Sequence, residues 1–269
     1  MLIRTFAVIL FVLSMSSWAY DLNDGHIHYN QDVWNDLPAE GALRLLIENG
    51  IQRAIVSSTP TAGTEILYRL SPERIIPFLR PYRIYRDRYT WHSDPAIVDY
   101  IKQQLATGIY QGFGEFHLFK RHKDSPVVQQ LMQIVADHQL MVSAHSDAET
   151  IEALINMQPN VTLIWAHCGV DHPVDDVRQL LELNPSLNCE LSFRYNMMDE
   201  EDNLLNEWKT LLEQYPERFI LGMDTYIPKR WASLPEHAQY AQHWLSQLNS
   251  TSAKLIAKGN IDRLFPLKR

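Results

Sequence analysis

Short apolar segments alternate with helical patterns along most of this chain, and that alternation limits the folds open to it. Apolar runs of strand length recur eight times, and most are followed by a polar or glycine-containing corner and then by a helical pattern. Strands that alternate with helices indicate a parallel sheet. The predicted strands lie near residues 22–27, 51–57, 74–80, 109–116, 140–145, 161–167, 187–192 and 218–224.

Six stretches between these strands have helical spacing. In the stretch 126–138, six apolar residues fall on one face, which is typical of an amphipathic helix. Gly50 and Gly108 stand where a helix would end, just before a strand begins. The predicted helices are 41–49, 95–107, 126–138, 148–157, 174–183 and 202–215.

The number of strand–helix units fits one closed barrel. Eight units in about 250 residues match the size of a (β/α)8 TIM barrel, and a chain with 46% hydrophobic residues can form a large core. Residues 20–269 contain no internal repeat or linker and are predicted to be one domain. A doubly wound open sheet is the competing architecture. The weak point of the barrel prediction is strand seven, around Asn188 and Glu190, which is more polar than the others.

Residues 1–19 have the layout of a secretory signal peptide. Arg4 precedes an apolar run from Thr5 to Met15, and a small-residue stretch from Ser16 to Ala19 follows. This pattern predicts cleavage after Ala19 and a secreted or periplasmic protein. The alternative is a short membrane anchor, but the apolar run is shorter than the ~20 residues that span a bilayer. No later segment is long and apolar enough to insert in a membrane.

Charge and cysteine content restrict the function classes. The formal net charge is −8, and it becomes −9 if residues 1–19, with their single charge, are removed. A mildly acidic chain without a long basic run gives no electrostatic reason to expect nucleic-acid binding. Cys168 and Cys189 could pair in an oxidising compartment, but a disulfide between them is not favoured. Two cysteines are too few for a cysteine-based zinc site.

Metal-ligand residue types stand at the ends of five of the eight predicted strands. Strand one ends with His26 and His28, which alternate along the strand and therefore project to the same face. The other four strands end with Glu115, His145, His167 and Asp224. Taken alone, each is more typical of a loop histidine, a helix cap or an arginine partner. A barrel enzyme, however, builds its site at the C-terminal ends of its strands, so the coincidence favours one shared site.

Imidazole and carboxylate groups gathered in this number indicate a divalent metal. Neutral imidazole nitrogens and carboxylate oxygens suit Zn, Mn, Fe or Ni, and a catalytic site leaves one position open for water. Carboxylates buried without a cation are costly. A metal offsets that cost and lowers the pKa of its water toward ~7. A carboxylate beside this water can pass its proton to a leaving group, and Asp224 is the candidate for that role.

The set of residues resembles the amidohydrolase superfamily. The pattern of that family is His-x-His, Glu or Lys, His, His and Asp, in this order, on a (β/α)8 barrel. The run Asp-Gly-His-Ile-His at residues 24–28, followed by the four other strand-end residues, has the same order. Residues 259–265, Gly-Asn-Ile-Asp-Arg-Leu-Phe, are similar to the closing helix of the amidohydrolase-2 branch. The resemblance runs from residue 24 to the C-terminus and does not specify a substrate.

This resemblance implies roles for the six residues. The more buried metal would be held by His26, His28 and Asp224. Glu115 would bridge to a second metal held by His145 and His167, as the corresponding Glu does in TatD-type deoxyribonucleases. In one-metal members the strand-five histidine joins the first metal, and the strand-six histidine, here His167, orients water or polarises the substrate. Glu115 favours two ions, although many amidohydrolase-2 members have one; zinc is the expected metal.

Two features near the predicted mouth bear on the substrate. The run Gly114-Glu115-Phe116-His117 departs from the Gly-Glu-hydrophobic-Gly-Leu-Asp run of the TatD type, which weakens a nuclease assignment. Basic residues follow strands three, four and seven, and those that point inward would suit a carboxylate or phosphate group; the alternative is that they are solvated loop cations. Arg80 and Arg194 are the predicted substrate-binding residues, and the others are Arg83, Lys120 and Arg121. The segment 82–92, rich in Tyr, Arg and Trp, is predicted to form a lid.

Three function classes are consistent with these residues. The leading one is a hydrolase that uses metal-activated water to cleave an amide, ester, lactone or phosphoester bond of a small substrate with an anionic group. The second is a metal-dependent non-oxidative decarboxylase of the amidohydrolase-2 type, against which an exported location argues. The third is a catalytically inactive binding barrel, against which the filling of all six positions argues. A homo-oligomer is compatible with the sequence.

Overall fold

The computed structural model describes residues 20–267, so the predicted signal peptide lies outside the described residues. Every predicted strand segment contains a strand. The strands are β1 (Leu22–Ile27), β2 (Ile51–Val56), β3 (Ile75–Leu79), β4 (Gly112–His117), β5 (Met141–His145), β6 (Leu163–Trp165), β7 (Leu187–Glu190) and β8 (Phe219–Ile220). The helices between them are α1 (Ala39–Glu48), α2 (Ala62–Leu70), α3 (Ala96–Leu105), α4 (Pro126–Asp137), α5 (Ala148–Met157), α6 (Val174–Leu183) and α7 (Asn206–Gln214). After β8 come α8 (Pro228–Ala232), α9 (Leu234–Leu245), α10 (Ser250–Lys254) and α11 (Asn260–Leu264).

The eight strands form one parallel sheet in sequence order, which confirms the predicted (β/α)8 barrel. The sheet closes where the segment after β8 meets β1. The Gly25 N–H donates to the Leu221 carbonyl at 2.8 Å, and the His28 N–H donates to the Thr225 carbonyl at 2.8 Å. In addition, the Met223 N–H donates to Asp24 Oδ1 at 3.0 Å. The open-sheet alternative is therefore wrong.

The spacing predicted neither α2 nor the helices after the last strand, α8 to α11, and the longest of the helices it missed are α2 and α9. Helix α2 contains Gly63 and Thr64, residue types with low helix propensity, and both are buried together with Leu67. Helix α9 follows the last strand and buries a face that includes Ala238, Ala241 and Trp244. Both helices bury an apolar face against the rest of the barrel, so tertiary packing contributes to their stability.

Amphipathic helices cover the outside of the barrel. Helix α4 shows why this sequence forms one: Ser125 caps its first turn by accepting from the Val127 N–H, and Pro126 stands at the first helical position. The apolar face predicted for this helix is buried, including Leu131 and Val135. Within residues 20–267, no helix has the length and apolar character needed to cross a bilayer.

Apolar side chains fill the N-terminal end of the barrel. Inward residues of four strands pack there with two residues of the closing segment; the cluster is Ile55, Ile76, Phe78, Ile164, Ile220, Ile261 and Phe265. The rings of Phe78 and Phe265 meet edge to face at 5.7 Å. Gly112 is required beside them, because a Cβ at this position would overlap the Phe78 ring. Helix α11 therefore plugs this end, in agreement with the resemblance of residues 259–265 to a closing helix.

Polar contacts attach the same helix to the strands. Asp262 Oδ1 accepts from Asn23 Nδ2 at 2.9 Å and from Arg53 Nη1 at 3.2 Å. Lys258 Nζ donates to Asp262 Oδ2 at 2.7 Å. Every charged group of this small network thus has a partner of opposite charge.

The structure pairs Cys168 with Cys189 in a disulfide, with Cα atoms 4.7 Å apart. The expectation that this bridge is not favoured is therefore wrong. Trp165 is paired with Cys189 across β6 and β7, and a tight turn of residues 166–169 directly after β6 returns Cys168 to the same neighbour. Sequence spacing alone did not reveal this turn.

Candidate metal centre

All six predicted ligand residues converge at the C-terminal end of the barrel. They are His26 in β1, His28 directly after it, Glu115 in β4, His145 at the end of β5, and His167 and Asp224 in the segments after β6 and β8. Five of them are buried, whereas the His145 side chain is 29% exposed. The cluster therefore lies at the base of the barrel mouth, and His145 stands on its open side.

Four side chains form a first group of converging ligand atoms. The Nε2 atoms of His26 and His28 are 3.0 Å apart. Glu115 Oε2 is 3.5 and 3.3 Å from these two nitrogens, and Asp224 Oδ1 is 3.6 and 3.4 Å from them. A tetrahedral zinc ion with bonds of about 2.0–2.1 Å places its ligand atoms about 3.3 Å apart. The donor set and its spacing therefore fit a divalent metal.

The second oxygen of Glu115 faces a different set of histidines. Glu115 Oε1 is 3.1 Å from His145 Nδ1, 3.8 Å from His167 Nε2 and 3.9 Å from His117 Nε2. Burial lowers the pKa of His117 to about 3 despite the nearby Glu115, so its imidazole is neutral and can act as a ligand. Glu115 thus has one oxygen toward each group, which is the arrangement expected of a bridging carboxylate.

Glu190, at the end of β7, lies behind the first group and was not predicted. Its Oε2 is 2.8 Å from His26 Nδ1 and accepts from Ser192 Oγ at 3.0 Å and from the His167 N–H at 3.1 Å. Gly222 makes room for it, because a Cβ there would overlap Glu190 Oε1. A carboxylate on the far nitrogen of a metal-binding histidine fixes the tautomer and the ring orientation. Glu190 therefore turns His26 Nε2 toward the cluster.

The sequence did contain a signal for Glu190. The polarity of strand seven, taken as a weakness of the barrel prediction, arises because Glu190 is buried with 1% exposure at the mouth of the barrel. The signal for His117 was the spacing Glu115-Phe-His117, which repeats the alternation of His26 and His28 and places both side chains on one face of β4.

The rings of His28 and His167 are also oriented by hydrogen bonds at Nδ1, the ring nitrogen that faces away from the cluster. His28 Nδ1 donates to the Ser57 carbonyl oxygen, and His167 Nδ1 is 2.8 Å from Ser192 Oγ. Ser57 has a second contact, since its Oγ accepts from the Glu115 N–H at 3.1 Å. These contacts leave the Nε2 atoms of both rings facing the cluster, as metal or substrate binding requires.

The charges of the cluster depend strongly on one another. Burial would lower the pKa of His26, yet three carboxylates around it raise that pKa well above its ordinary value; they are Asp224, Glu190 and Glu115. Conversely, burial would raise the pKa of Asp224, but His26 and His28 lower it below its ordinary value. The three carboxylates therefore favour a positive charge at this position.

Arg80 contacts the cluster but is not directed at open space. Its Nε donates to the Glu115 carbonyl at 2.9 Å, and its Nη2 donates to Glu115 Oε2 at 3.2 Å. The guanidinium also lies 4.6 Å above the ring of Tyr82. Arg80 therefore positions Glu115, which is a different role from the predicted contact with substrate.

Arg194 does not stand in the mouth either. Its two terminal nitrogens donate to the carbonyls of Val170 and His172, and its guanidinium lies 4.3 Å from the centre of the Trp208 ring. With 1% exposure, Arg194 is a structural residue that ties the loop after β7 to the loop after β6. The geometry therefore argues against Arg194 as a substrate-binding residue.

The other predicted cations have different surroundings. Arg83 pairs with Asp87 and Asp94, whereas Lys120 and Arg121 line a cavity.

Two of the ligand residues have left-handed backbone conformations. His167 has φ 57° and Asp224 has φ 45°, values uncommon outside glycine and asparagine. Strained residues of this kind persist where the surrounding structure holds them, and they concentrate at functional sites. Here the turn immediately after a strand places each side chain in the cluster.

A cavity of about 750 Å³ opens beside the second group of ligand atoms, which is formed by Glu115 Oε1, His117 and His145. His117 and His145 belong to its lining, together with the cations Arg88, Lys120 and Arg121. The acidic residue of the lining is Asp147, which is occupied in capping α5 through the Thr150 N–H. Arg88, Tyr89 and His92 come from the segment predicted to be a lid, so this segment forms part of the cavity wall.

Comparisons with known proteins bear on the fold. No protein-family model matches the sequence, and no curated protein matches it. Solved structures do match. A TatD homologue from Escherichia coli K12 has a TM-score of 0.66 at 12% identity, covering 92% of this chain and 99% of that chain.

Two further structures show the same likeness. A probable 2-pyrone-4,6-dicarboxylic acid hydrolase from Acinetobacter baumannii, solved with citric acid bound, has a TM-score of 0.61 at 13% identity and covers 92% of this chain and 100% of that chain. An amidohydrolase from Burkholderia multivorans has a TM-score of 0.54 at 15% identity, with 92% and 99% covered. The chain therefore shares its barrel fold with these three structures.

Proposed function

We propose that the protein is a metal-dependent hydrolase of the amidohydrolase type that acts on a small substrate with an anionic group. The observation that carries this proposal is the convergence of two carboxylates on the His26–His28 pair at the base of the barrel mouth: Glu115 Oε2 and Asp224 Oδ1 each lie 3.3–3.6 Å from both Nε2 atoms, which are 3.0 Å apart. A divalent metal, zinc in the first instance, lowers the pKa of water toward ~7 and polarises a carbonyl or phosphoryl oxygen. Glu115 has an oxygen for each of two ions.

Asp224 is the residue placed to move the proton. Its Oδ1 faces the His26–His28 pair, and its Oδ2 is 4.0 Å from His167 Nε2. A carboxylate in this position can accept the proton of the attacking water and pass it to the leaving group as the bond to that group breaks. The His167 imidazole, which lies beside Asp224 Oδ2, can donate a hydrogen bond to the substrate oxygen on which negative charge develops.

The cavity supports an anionic substrate. Two arginines and one lysine line it, and the Lys120 ammonium is shared with Glu149. Arg88 donates to the Tyr85 hydroxyl at 3.1 Å. Among the described residues neither Arg88 nor Arg121 pairs with a carboxylate, so both can bind a carboxylate or phosphate, while Phe119 and Tyr89 supply apolar surface. A volume of about 750 Å³ is in the range of small-molecule sites.

The experiment is a hydrolysis screen on the zinc-loaded protein. Esters, lactones, amides and phosphoesters are supplied as matched pairs with and without a carboxylate. We expect turnover of a carboxylate-bearing member, a loss of about 10³-fold or more in kcat for Asp224→Asn, and a raised KM for Arg121→Gln. Asp137→Asn, an exposed position at the far end of α4, is the matched control and should equal the wild type.

Two results would overturn the proposal. One is that Asp224→Asn hydrolyses the substrate as fast as the wild type. The other is that the panel is not hydrolysed while carbon dioxide is released from an aromatic or unsaturated acid, which would establish the decarboxylase alternative.

A further inference from the structure

We propose that His117 is a ligand of the second metal, so that Glu115, His117 and His145 hold that ion and His167 is left free to act on the substrate. This assignment rests on the proposed metal-dependent function. It differs from the ligand set that the family resemblance implies, in which His167 is a ligand of the second ion and His117 has no part.

The position of His117 on β4 brings it to the cluster. It lies two residues after Glu115 on the same face of the strand, and one Glu115 oxygen and one ring nitrogen each of His117 and His145 lie within 4.8 Å of one another. The two imidazole rings are stacked, with centroids 4.4 Å apart and planes 24° apart. Two histidines and a carboxylate in this arrangement are a set that divalent transition metals bind.

Contacts behind His117 orient its ring. Its Nδ1 is 3.2 Å from the Tyr82 hydroxyl oxygen, which also accepts from the His117 backbone N–H at 2.7 Å. Trp91 Nε1 donates to the His117 carbonyl at 2.9 Å. If Nδ1–H donates to Tyr82, the lone pair of Nε2 faces Glu115. Unlike the Glu190 carboxylate, which can only accept from His26, the Tyr82 hydroxyl can donate or accept, so it holds the His117 ring in place without fixing its tautomer.

His167 has neighbours of a different kind. Its distance to Glu115 Oε1, 3.8 Å, is nearly the same as that of His117, so distance alone does not separate the two. However, His167 Nε2 is also 4.0 Å from Asp224 Oδ2, and its ring is stacked on His26 at 5.0 Å. Its ring also meets that of His145 edge to face at 4.7 Å. His167 therefore lies between the two groups and beside Asp224, where an imidazole that is not a ligand can contact the reacting substrate.

The test counts ions in the chelator-stripped protein. Zn²⁺ is titrated calorimetrically, and the bound metal is measured by mass spectrometry after gel filtration. We expect two ions in the wild type, and for His117→Ala one ion, or a second ion bound at least about 100-fold more weakly. We expect His167→Asn to retain two ions while its kcat falls by about 10²-fold or more.

A matched control and a second variant keep the test decisive. His122→Ala removes another imidazole of the same cavity, one that stacks on His92 at 3.8 Å, and should retain two ions. His117→Asn retains a polar side chain on β4 and should show the same loss as the alanine variant if His117→Ala does not fold.

The inference is wrong if both His117 variants bind two ions with wild-type affinity, if His167→Asn loses the second ion, or if the wild type binds a single ion. Each of these results leaves the proposed function standing, because a one-ion protein can still hydrolyse the panel through Asp224. If the wild type binds two ions but hydrolyses no member of the panel, the result counts against the proposed function and not against the ligand assignment.

Discussion

The two ends of this barrel bury polar groups in different ways. At the N-terminal end, Asp262 contacts Arg53, Lys258 and Asn23, so the charges of that network neutralise one another. At the C-terminal end, three carboxylates surround His26, and the permanent cation in contact with them, Arg80, pairs with Glu115.

This difference separates stability from function. The N-terminal end is complete with its own side chains, because apolar residues and α11 fill it. The C-terminal end requires an added positive charge, since buried carboxylates without one are costly. Residues at the bottom of such barrels serve stability, whereas residues at the top serve catalysis. The following predictions test that division, beginning with the largest expected effect.

Removal of metal should abolish function without unfolding the barrel. A chelator is expected to reduce hydrolysis by about 10⁴-fold or more, because water then keeps its high pKa, and added Zn²⁺ should restore it. Circular dichroism of the stripped protein should retain the wild-type spectrum. Full activity in protein shown to contain no metal would contradict the claim that the C-terminal end of the barrel works through a bound metal.

Truncation of the plug should have the converse effect. Phe265 is 3% exposed and packs against Phe78, so Phe265→Ala should reduce the free energy of unfolding by about 3–5 kcal/mol. Denaturant titration measures this loss. At a temperature where the variant is folded, its kcat and its metal content should equal those of the wild type; a loss of bound metal would show that the two ends are coupled.

Substitution of Glu190 should weaken metal binding without removing a ligand. Glu190→Gln replaces the carboxylate on His26 Nδ1 by an amide, and metal affinity should fall by about 10–100-fold. Calorimetric titration with Zn²⁺ checks this. Glu152→Gln, on the exposed face of α5, is the control and should bind as the wild type does. Unchanged affinity in Glu190→Gln would mean that this carboxylate does not support the site.

The smallest effect concerns acid stability. Burial would raise the pKa of Asp262, but hydrogen bonds from Lys258, Asn23 and Arg53 lower it below its ordinary value. Because the folded-state pKa is the lower one, the stabilisation is present above pH ~4 and is lost as the pH falls through the folded-state pKa. The wild type should therefore lose up to about 1 kcal/mol more than Asp262→Asn between pH 5 and pH 2, a small value because the side chain is partly exposed.

Unfolding curves at a series of pH values in that range would measure this difference. Parallel pH profiles for the wild type and Asp262→Asn would contradict the assignment of the network as a stabilising element.

Local pattern explains what could be predicted. Alternation of apolar runs and helices identified eight strands, and the strand ends identified His26, His28, Glu115 and Asp224, because both signals depend on neighbours in the chain. The pairing of Cys168 with Cys189 depends on a turn that has no signature in spacing. Arg194 followed a strand as predicted, but its direction is set by carbonyls of a loop more than twenty residues away. Such contacts exist only in the folded chain.

The C-terminal end of the barrel can be tested most directly by an anomalous difference map from crystals grown with Zn²⁺ and measured at the zinc absorption edge. The account predicts one peak among His26 Nε2, His28 Nε2, Glu115 Oε2 and Asp224 Oδ1, and a second beside Glu115 Oε1 on the side of His117 and His145. A map with no peak at these side chains, from crystals that contain zinc elsewhere, would contradict the claim that this end of the barrel is built to hold a metal.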